Sequence, residues 1–456
     1  MGQGLEEVGV ITSRSFVRFY APLAATSLLL TATNPILAAA LARSVSPTIA
    51  LAGYSVAFAV CGVLYAPLLV IQQVAAARLL GQGSFSPVRR FAYGTGAALS
   101  ALGALIAFTA LGDLVFSGVI GVGPAVLGEA TRAMEFLWPV PFLTAVRAAH
   151  QGRLVAGHRT QPIAAATGVR TGILAVVAFM LTTMGGGAWL GAVAFTVGLM
   201  VETALVVAAR TPNVELEQED CELDENVARF SAPLMVNVLL WWATPLIINA
   251  VLARTSNPDP SLAAFAVVEA FAWFITAPVG QLQHASIALV ECSDTHKRVR
   301  TWAGVLAVSM VGVLLILSLP SIREPLFRVL FALEPELIAL AGPALPIAAA
   351  YPLLYGIRQY YQGLFVRSGR TAVVGIGAVL RVAAVLVAAF LCVHEMGHQG
   401  AILGVGLSVF GLTVEGLFLE RLSRRKVMPE LRAQAAGSLS TEPFEGVAEA
   451  LAAENS

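Results

Sequence analysis

The sequence predicts an all-α polytopic membrane protein. It expects twelve transmembrane helices in two six-helix lobes, arranged as a parallel repeat about a pseudo-two-fold axis along the membrane normal. Three observations lead there. The chain is 57% hydrophobic and 12% charged, with a mean hydropathy of +0.78 over 456 residues, too apolar for a soluble domain of that length. Mainly apolar runs of roughly 20 residues, the length that crosses a bilayer core, recur along it. Finally, the chain repeats: Arg18-Phe19 and Ala21-Pro22-Leu23 return 211 residues later as Arg229-Phe230 and Ala232-Pro233-Leu234. Ala42-Arg43 returns as Ala253-Arg254, Ala66-Pro67 as Ala277-Pro278, and Gln72 as Gln283. Arg147, Gln151-Gly152, Arg159-Thr160 and Arg170 return as Arg358, Gln362-Gly363, Arg370-Thr371 and Arg381. After a two-residue slip, Gly187-Ala188, Gly191 and Val201-Glu202 become Gly400-Ala401, Gly404 and Val414-Glu415. Two copies of one membrane bundle usually enclose a substrate site between them.

In chain order the first lobe, 18–209, places its spans at 18–42, 50–77, 91–115, 131–156, 163–184 and 188–209. The second lobe, 229–420, places them at 229–253, 261–289, 301–320, 337–365, 372–393 and 400–420. Several are long enough to need tilt or a kink, which the paired prolines Pro67/Pro278 and Pro141/Pro352 can supply. Residues 1–17 precede the first lobe, and neither their charge order nor the long apolar run after them makes a secretory signal. Residues 210–228 form an acidic linker carrying Glu215, Glu217, Glu219, Asp220, Glu222, Asp224 and Glu225, expected to be a solvated tether. The tail 421–456 is polar and rich in Ala, Glu and Ser, expected to be weakly ordered.

Basic residues set the expected orientation. Arg14, Arg78, Arg89, Arg90, Arg153, Arg159, Arg210, Lys297, Arg298, Arg300, Arg367, Arg370, Arg421, Arg424, Arg425 and Lys426 fall on one side. The other side holds only Arg43, Arg132, Arg254, Arg323 and Arg328. The positive-inside rule then puts both termini in the cytoplasm of a multi-pass protein of the cell (inner) membrane.

Ionisable groups inside a bilayer need a partner, a cavity or a role. At about 1.5 Å per residue, Arg170 and Glu202 reach similar depth on neighbouring antiparallel spans, and Arg381 and Glu415 repeat the arrangement. One reading is a structural ion pair in each lobe; the other makes Glu202 or Glu415 a coupling-ion site. Arg147 and Arg358 lie near mid-depth with no obvious acid on their own spans, and each has a glutamine at i+4, Gln151 or Gln362. With Thr144 in one copy and Tyr355 in the other, they form a donor set suited to a carboxylate or phosphate. The competing reading is an arginine fastening carbonyls beside Pro141 or Pro352. Glu269 has Phe58 as its repeat equivalent. Repeat architecture therefore does not explain it, and it is the leading coupling-ion candidate. His150 and His284 read as packed polar residues. Asn34 and Asn249 read as partners for backbone beside Pro35 and Pro245.

Other chemistry is disfavoured. His394-Glu395-Met396-Gly397-His398 matches the zinc-protease pattern HExxH, but its glycine and the following Gln399-Gly400 favour a short turn, and no third ligand follows. Cys61, Cys221, Cys292 and Cys392 are dispersed and form no CxxC. No metal, no cofactor and no enzymatic activity are expected, and the formal net charge of +0 argues against nucleic acid.

These residues resemble the superfamily of multidrug and toxic-compound extruders, polysaccharide and lipid flippases, and progressive ankylosis proteins. The nearest resemblance is to the progressive ankylosis family. It rests on Arg18-Phe19…Pro22-Leu23, Leu51-Ala52-Gly53-Tyr54 and Pro67, then Arg358…Gly363…Arg370-Thr371, Leu380-Arg381 and Gly400-Ala401-Ile402-Leu403-Gly404-Val405-Gly406…Gly411…Glu415. The resemblance implies a V-shaped, alternating-access exporter of small organic or phosphorylated anions such as citrate, nucleotide or pyrophosphate. Its partners would be the anion and a proton or sodium ion. Extruders of cations typically carry an acid in the first or seventh span, and residues 19–42 and 230–253 contain none. A proton- or sodium-coupled exporter of organic cations through Glu269, and a lipid-linked precursor flippase, are the alternatives.

Overall fold

The computed structural model describes residues 13–80, 85–156, 161–209, 225–290, 292–368, 370–392 and 400–435. All regular structure among them is helical. Nine of these helices are long and apolar enough to cross a membrane, or ten if the bent pair Pro335–Ala348 and Tyr351–Arg367 counts as one span. The remaining two rods are broken. The first runs as Ser13–Thr31 and Thr33–Leu41, and the fourth as Pro124–Leu137 and Val140–Ala156.

Proline places the breaks, because a residue without an N–H cannot close the intrahelical ladder. In the second span Pro47–Tyr65 passes through the 3-10 turn Ala66–Val70 into Ile71–Leu80. The eighth repeats this as Pro258–Thr276, Ala277–Gln281 and Leu282–Leu289, so Pro67 and Pro278 sit in equivalent turns. The tenth bends by 41° after Pro343 and Pro346. Two boundaries fall outside the expected segments. The seventh-span helix starts at Glu225, within the expected linker, and the twelfth runs Gly400–Lys426. The helix Met428–Ala435 lies where a weakly ordered tail was expected. It is tied down by Arg370, which donates to Lys426 O at 2.7 Å and pairs with Glu430 at 2.5 Å, while Val427 and Leu431 are buried.

The lobes share a core. Leu51, Val56, Phe265 and Val268 belong to one buried cluster spanning the second and eighth spans. The opening helix of each repeat also crosses over. Phe16 and Tyr20 pack with Val279 and Tyr360 of the second lobe, Phe16 stacks on Trp302 at 5.9 Å, and the Tyr20 hydroxyl donates to Pro278 O at 2.5 Å. Reciprocally, Met235 and Val238 of the seventh span pack against the cluster of Leu68 and Val70. The outer surface leaves Phe108, Val176, Met180, Val308, Ile316, Val387 and Phe390 exposed. Lipid is the solvent that tolerates such a belt, and the backbone groups there are satisfied within helices.

Candidate functional site

A cavity of about 570 Å³ lies between the lobes, lined by the first, second, seventh and eighth spans and reaching the tenth, eleventh and twelfth. That volume suits a small organic molecule. Its wall is largely aromatic: Tyr54 and Phe58 face in from the first lobe, Trp241, Trp242, Trp273 and Tyr355 from the second. Trp241, Trp273 and Tyr355 form a mutual cluster with ring centroids 5.0–5.8 Å apart. Trp242 lies against the second span where Gly62 leaves room, since a Cβ there would come 2.5 Å from its ring.

Glu269 is set in this wall. Trp273, one turn later on the same helix face, donates its indole N–H to Glu269 Oε2 at 2.6 Å, and the Tyr351 hydroxyl donates to Oε1. Both oxygens thus accept, as a carboxylate does. Asn34, Asn249, Gln283, His284, Gln359 and Ser408 supply the remaining polar lining, together with Arg381. Asn249 donates to Ser55 O at 3.3 Å across the lobe boundary, rather than to backbone beside Pro245. His284 is exposed at the cavity, whereas His150 is buried and its Nε2 bonds the Tyr93 hydroxyl at 2.9 Å.

Beside the cavity each lobe holds two arginines on one acid. Glu202 takes Arg147 at 2.9 Å and Arg170 at 3.1 Å, and accepts from Thr167 at 3.0 Å and Gln151 at 3.4 Å. Glu415 takes Arg358 at 2.8 Å and Arg381 at 2.6 Å. Arg381 also donates to Thr244 Oγ1 at 3.3 Å and Leu240 O at 3.0 Å, and Arg358 donates to Gln359 Oε1 at 2.8 Å. Both guanidiniums of the second lobe stack over Trp241, at 4.4 and 4.6 Å. The expectation that Arg147 and Arg358 stand without an acid is therefore corrected. The partner acids sit on the sixth and twelfth spans, which pack against the fourth and tenth, so a search along each arginine's own span misses them. Thr144 and Gln362 are buried, Gln362 with its Oε1 unpaired among the described residues. Of the expected donor set only Tyr355 faces the cavity, with Arg381 and Glu269 from the other candidate groups.

Sequence reasoning passed over Trp241, Trp273, Tyr351 and Gln359 because aromatics in apolar runs usually mean core. A signal existed: their repeat equivalents are Leu30, Gly62, Val140 and Ala148. The test that singled out Glu269 against Phe58 singles these out too. No group of three or more His, Cys, Asp or Glu able to hold a metal occurs among the described residues. The HExxH segment lies outside the described residues.

Solved structures settle the fold. The chain matches an inward-facing multidrug resistance MATE family transporter of the MOP superfamily with a TM-score of 0.70 and 15% identity, covering 90% of this chain and 98% of that one. The fold is that of the MATE-type transporters. A second match is the MATE multidrug transporter DinF-BH in complex with a rhodamine dye, at TM-score 0.65 and 17% identity over 93% of this chain and 98% of that one. The lipid II flippase MurJ, inward closed, matches at 0.66 and 11% identity over 95% and 96%. No family model matches the chain, and no curated protein matches it by sequence. The MATE-type fold carries the parallel duplication, two six-helix lobes facing each other across the cavity.

Proposed function

We propose that the protein is an alternating-access transporter of the cell membrane, with both termini cytoplasmic, carrying a small aromatic organic cation through the cavity between its lobes. Glu269 is the group that binds the substrate or the coupling proton or sodium ion. One observation carries this reading. Among the described residues, Glu269 is the single acid of an otherwise aromatic wall, and its oxygens accept from an indole and a phenol rather than from a guanidinium. Arg381, the one arginine lining the cavity among those residues, is already held by Glu415, Thr244 and Leu240 O. Indole faces with a carboxylate nearby suit a desolvated cation. A MATE neighbour solved in complex with a rhodamine dye supports a ligand of such size.

A second reading, export of a small organic or phosphorylated anion, rests on the two triads. Each sets two guanidiniums against one carboxylate, leaving a net positive charge at Arg147–Glu202–Arg170 and at Arg358–Glu415–Arg381.

The test is flux in proteoliposomes holding the full chain, with a rhodamine dye as the cationic probe and citrate or a nucleotide as the anionic one. Cation flux lost in Glu269→Gln and retained in Arg147→Ala supports the first reading. Anion flux that survives Glu269→Gln but disappears in Arg147→Ala and Arg358→Ala replaces it with the second.

A further inference from the structure

Arg43 and Arg254 occupy equivalent places at the ends of the first and seventh spans, on the side away from the basic excess. Arg43 Nη1 donates to Leu330 O at 2.9 Å and Nη2 to Val329 O at 2.9 Å, both in the other lobe. Arg254 does the same in reverse, Nη2 donating to Val119 O at 2.6 Å and Nη1 to Ile120 O. Each also holds a carbonyl of its own last turn, Ala39 O or Ala250 O, at 2.6 Å. The acceptors Val329 and Leu330 end the helix Pro320–Leu330, and Val119 and Ile120 end Leu114–Ile120. Both helices stop at a left-handed residue in equivalent repeat positions, Gly121 at φ 89° and Ala332 at φ 51°, which frees the last-turn carbonyls.

We propose that Arg43 and Arg254 are a two-fold pair of inter-lobe latches that hold this end of the molecule closed, so that each transport cycle must break and remake both. The proposal rests on the alternating-access reading above but not on the identity of the substrate. Carbonyl ends of helices carry partial negative charge, so two such ends from opposite lobes repel unless a cation lies between them. A guanidinium spans both because its planar fork offers five donors. The partners beyond each arginine's own turn lie wholly in the opposite lobe, so neither lobe needs the contact for its own fold. Both arginines are exposed, where charge-assisted bonds are screened and reversible.

The test is a distance measurement on the full chain in nanodiscs. Cys61, Cys221, Cys292 and Cys392 are replaced by serine, and spin labels are placed at Ser46 and Glu336, exposed positions on the two lobes near the latches. The parent shows a dominant short distance. Arg43→Ala with Arg254→Ala lowers the ratio of short to long distances by about tenfold per arginine, the size of one weakened charge-assisted bond. Arg43→Lys with Arg254→Lys, which keeps the charge but not the two-carbonyl fork, gives a smaller shift in the same direction. An unchanged distribution in the alanine variant, with the parent's thermal stability, overturns the latch. Because the readout is distance, a wrong substrate shows separately, as absent probe flux in a parent whose distances still respond. A parent that carries substrate while no variant shows a second distance rejects alternating access itself.

Discussion

At the residue scale, charge pairing and backbone conformation decide most of what can be changed. Glu202 and Glu415 are fully buried and each neutralises two guanidiniums. Breaking a buried ion network by removing one partner typically costs about 3–5 kcal/mol, since the charges left behind stay desolvated. Glu415→Gln should therefore lower the melting temperature in detergent sharply, and Glu202→Gln should do likewise. A melting temperature within experimental scatter of the parent would mean that the triads contribute no stability. Gly121 and Ala332 give the second prediction. At φ 51° Ala332 bears the steric penalty its counterpart Gly121 escapes. Ala332→Gly should be neutral to stabilising, by at most about 1 kcal/mol. Gly121→Ala should destabilise, because its Cβ would stand 3.2 Å from the Arg254 guanidinium carbon at φ 89°. Thermal shifts of opposite sign check both.

At the scale of elements, hydropathy located the spans because lipid imposes a length and a composition on any helix that crosses it. The pairing of Arg170 with Glu202 was readable from helix rise alone. Spans broken inside the membrane were not resolvable that way: the first, fourth and tenth read as continuous apolar runs, and only packing shows where a proline turns the backbone. Nor does any one-dimensional pattern report that Arg147 meets Glu202 across two packed spans, or that the opening helix of each repeat leans on the other lobe. That crossover makes a prediction. Tyr20 spends its hydroxyl on Pro278 O, the carbonyl beside the eighth-span 3-10 turn. Tyr20→Phe removes one bond of about 1 kcal/mol and keeps the stack of the ring on Phe16. A small loss of thermal stability with flux retained is expected; full loss of flux would give the hydroxyl a part in the cycle rather than in packing.

At the scale of the whole molecule, duplication makes the cavity nearly symmetric, and function enters where the symmetry fails. Phe58 and Glu269 are equivalent residues that line the same cavity from opposite lobes. On the second-lobe side the acid is prepared by Trp273 at i+4 and by Tyr351. On the first-lobe side Tyr54 sits one turn before Phe58, its ring stacked on that residue at 5.4 Å and its hydroxyl buried without a partner among the described residues. A carboxylate moved to position 58 would thus meet a donor at helical spacing, as Glu269 does. Glu269→Phe alone should abolish flux of the cationic probe. Adding Phe58→Glu in the same chain should restore part of it if the cavity is a single binding space near the two-fold axis that needs one acid in its aromatic wall. Restored flux would place the requirement on the charge rather than on the eighth span. No recovery, in a double variant as stable as Glu269→Phe, would tie the function to the Trp273–Glu269–Tyr351 arrangement itself and to the lobe that carries it.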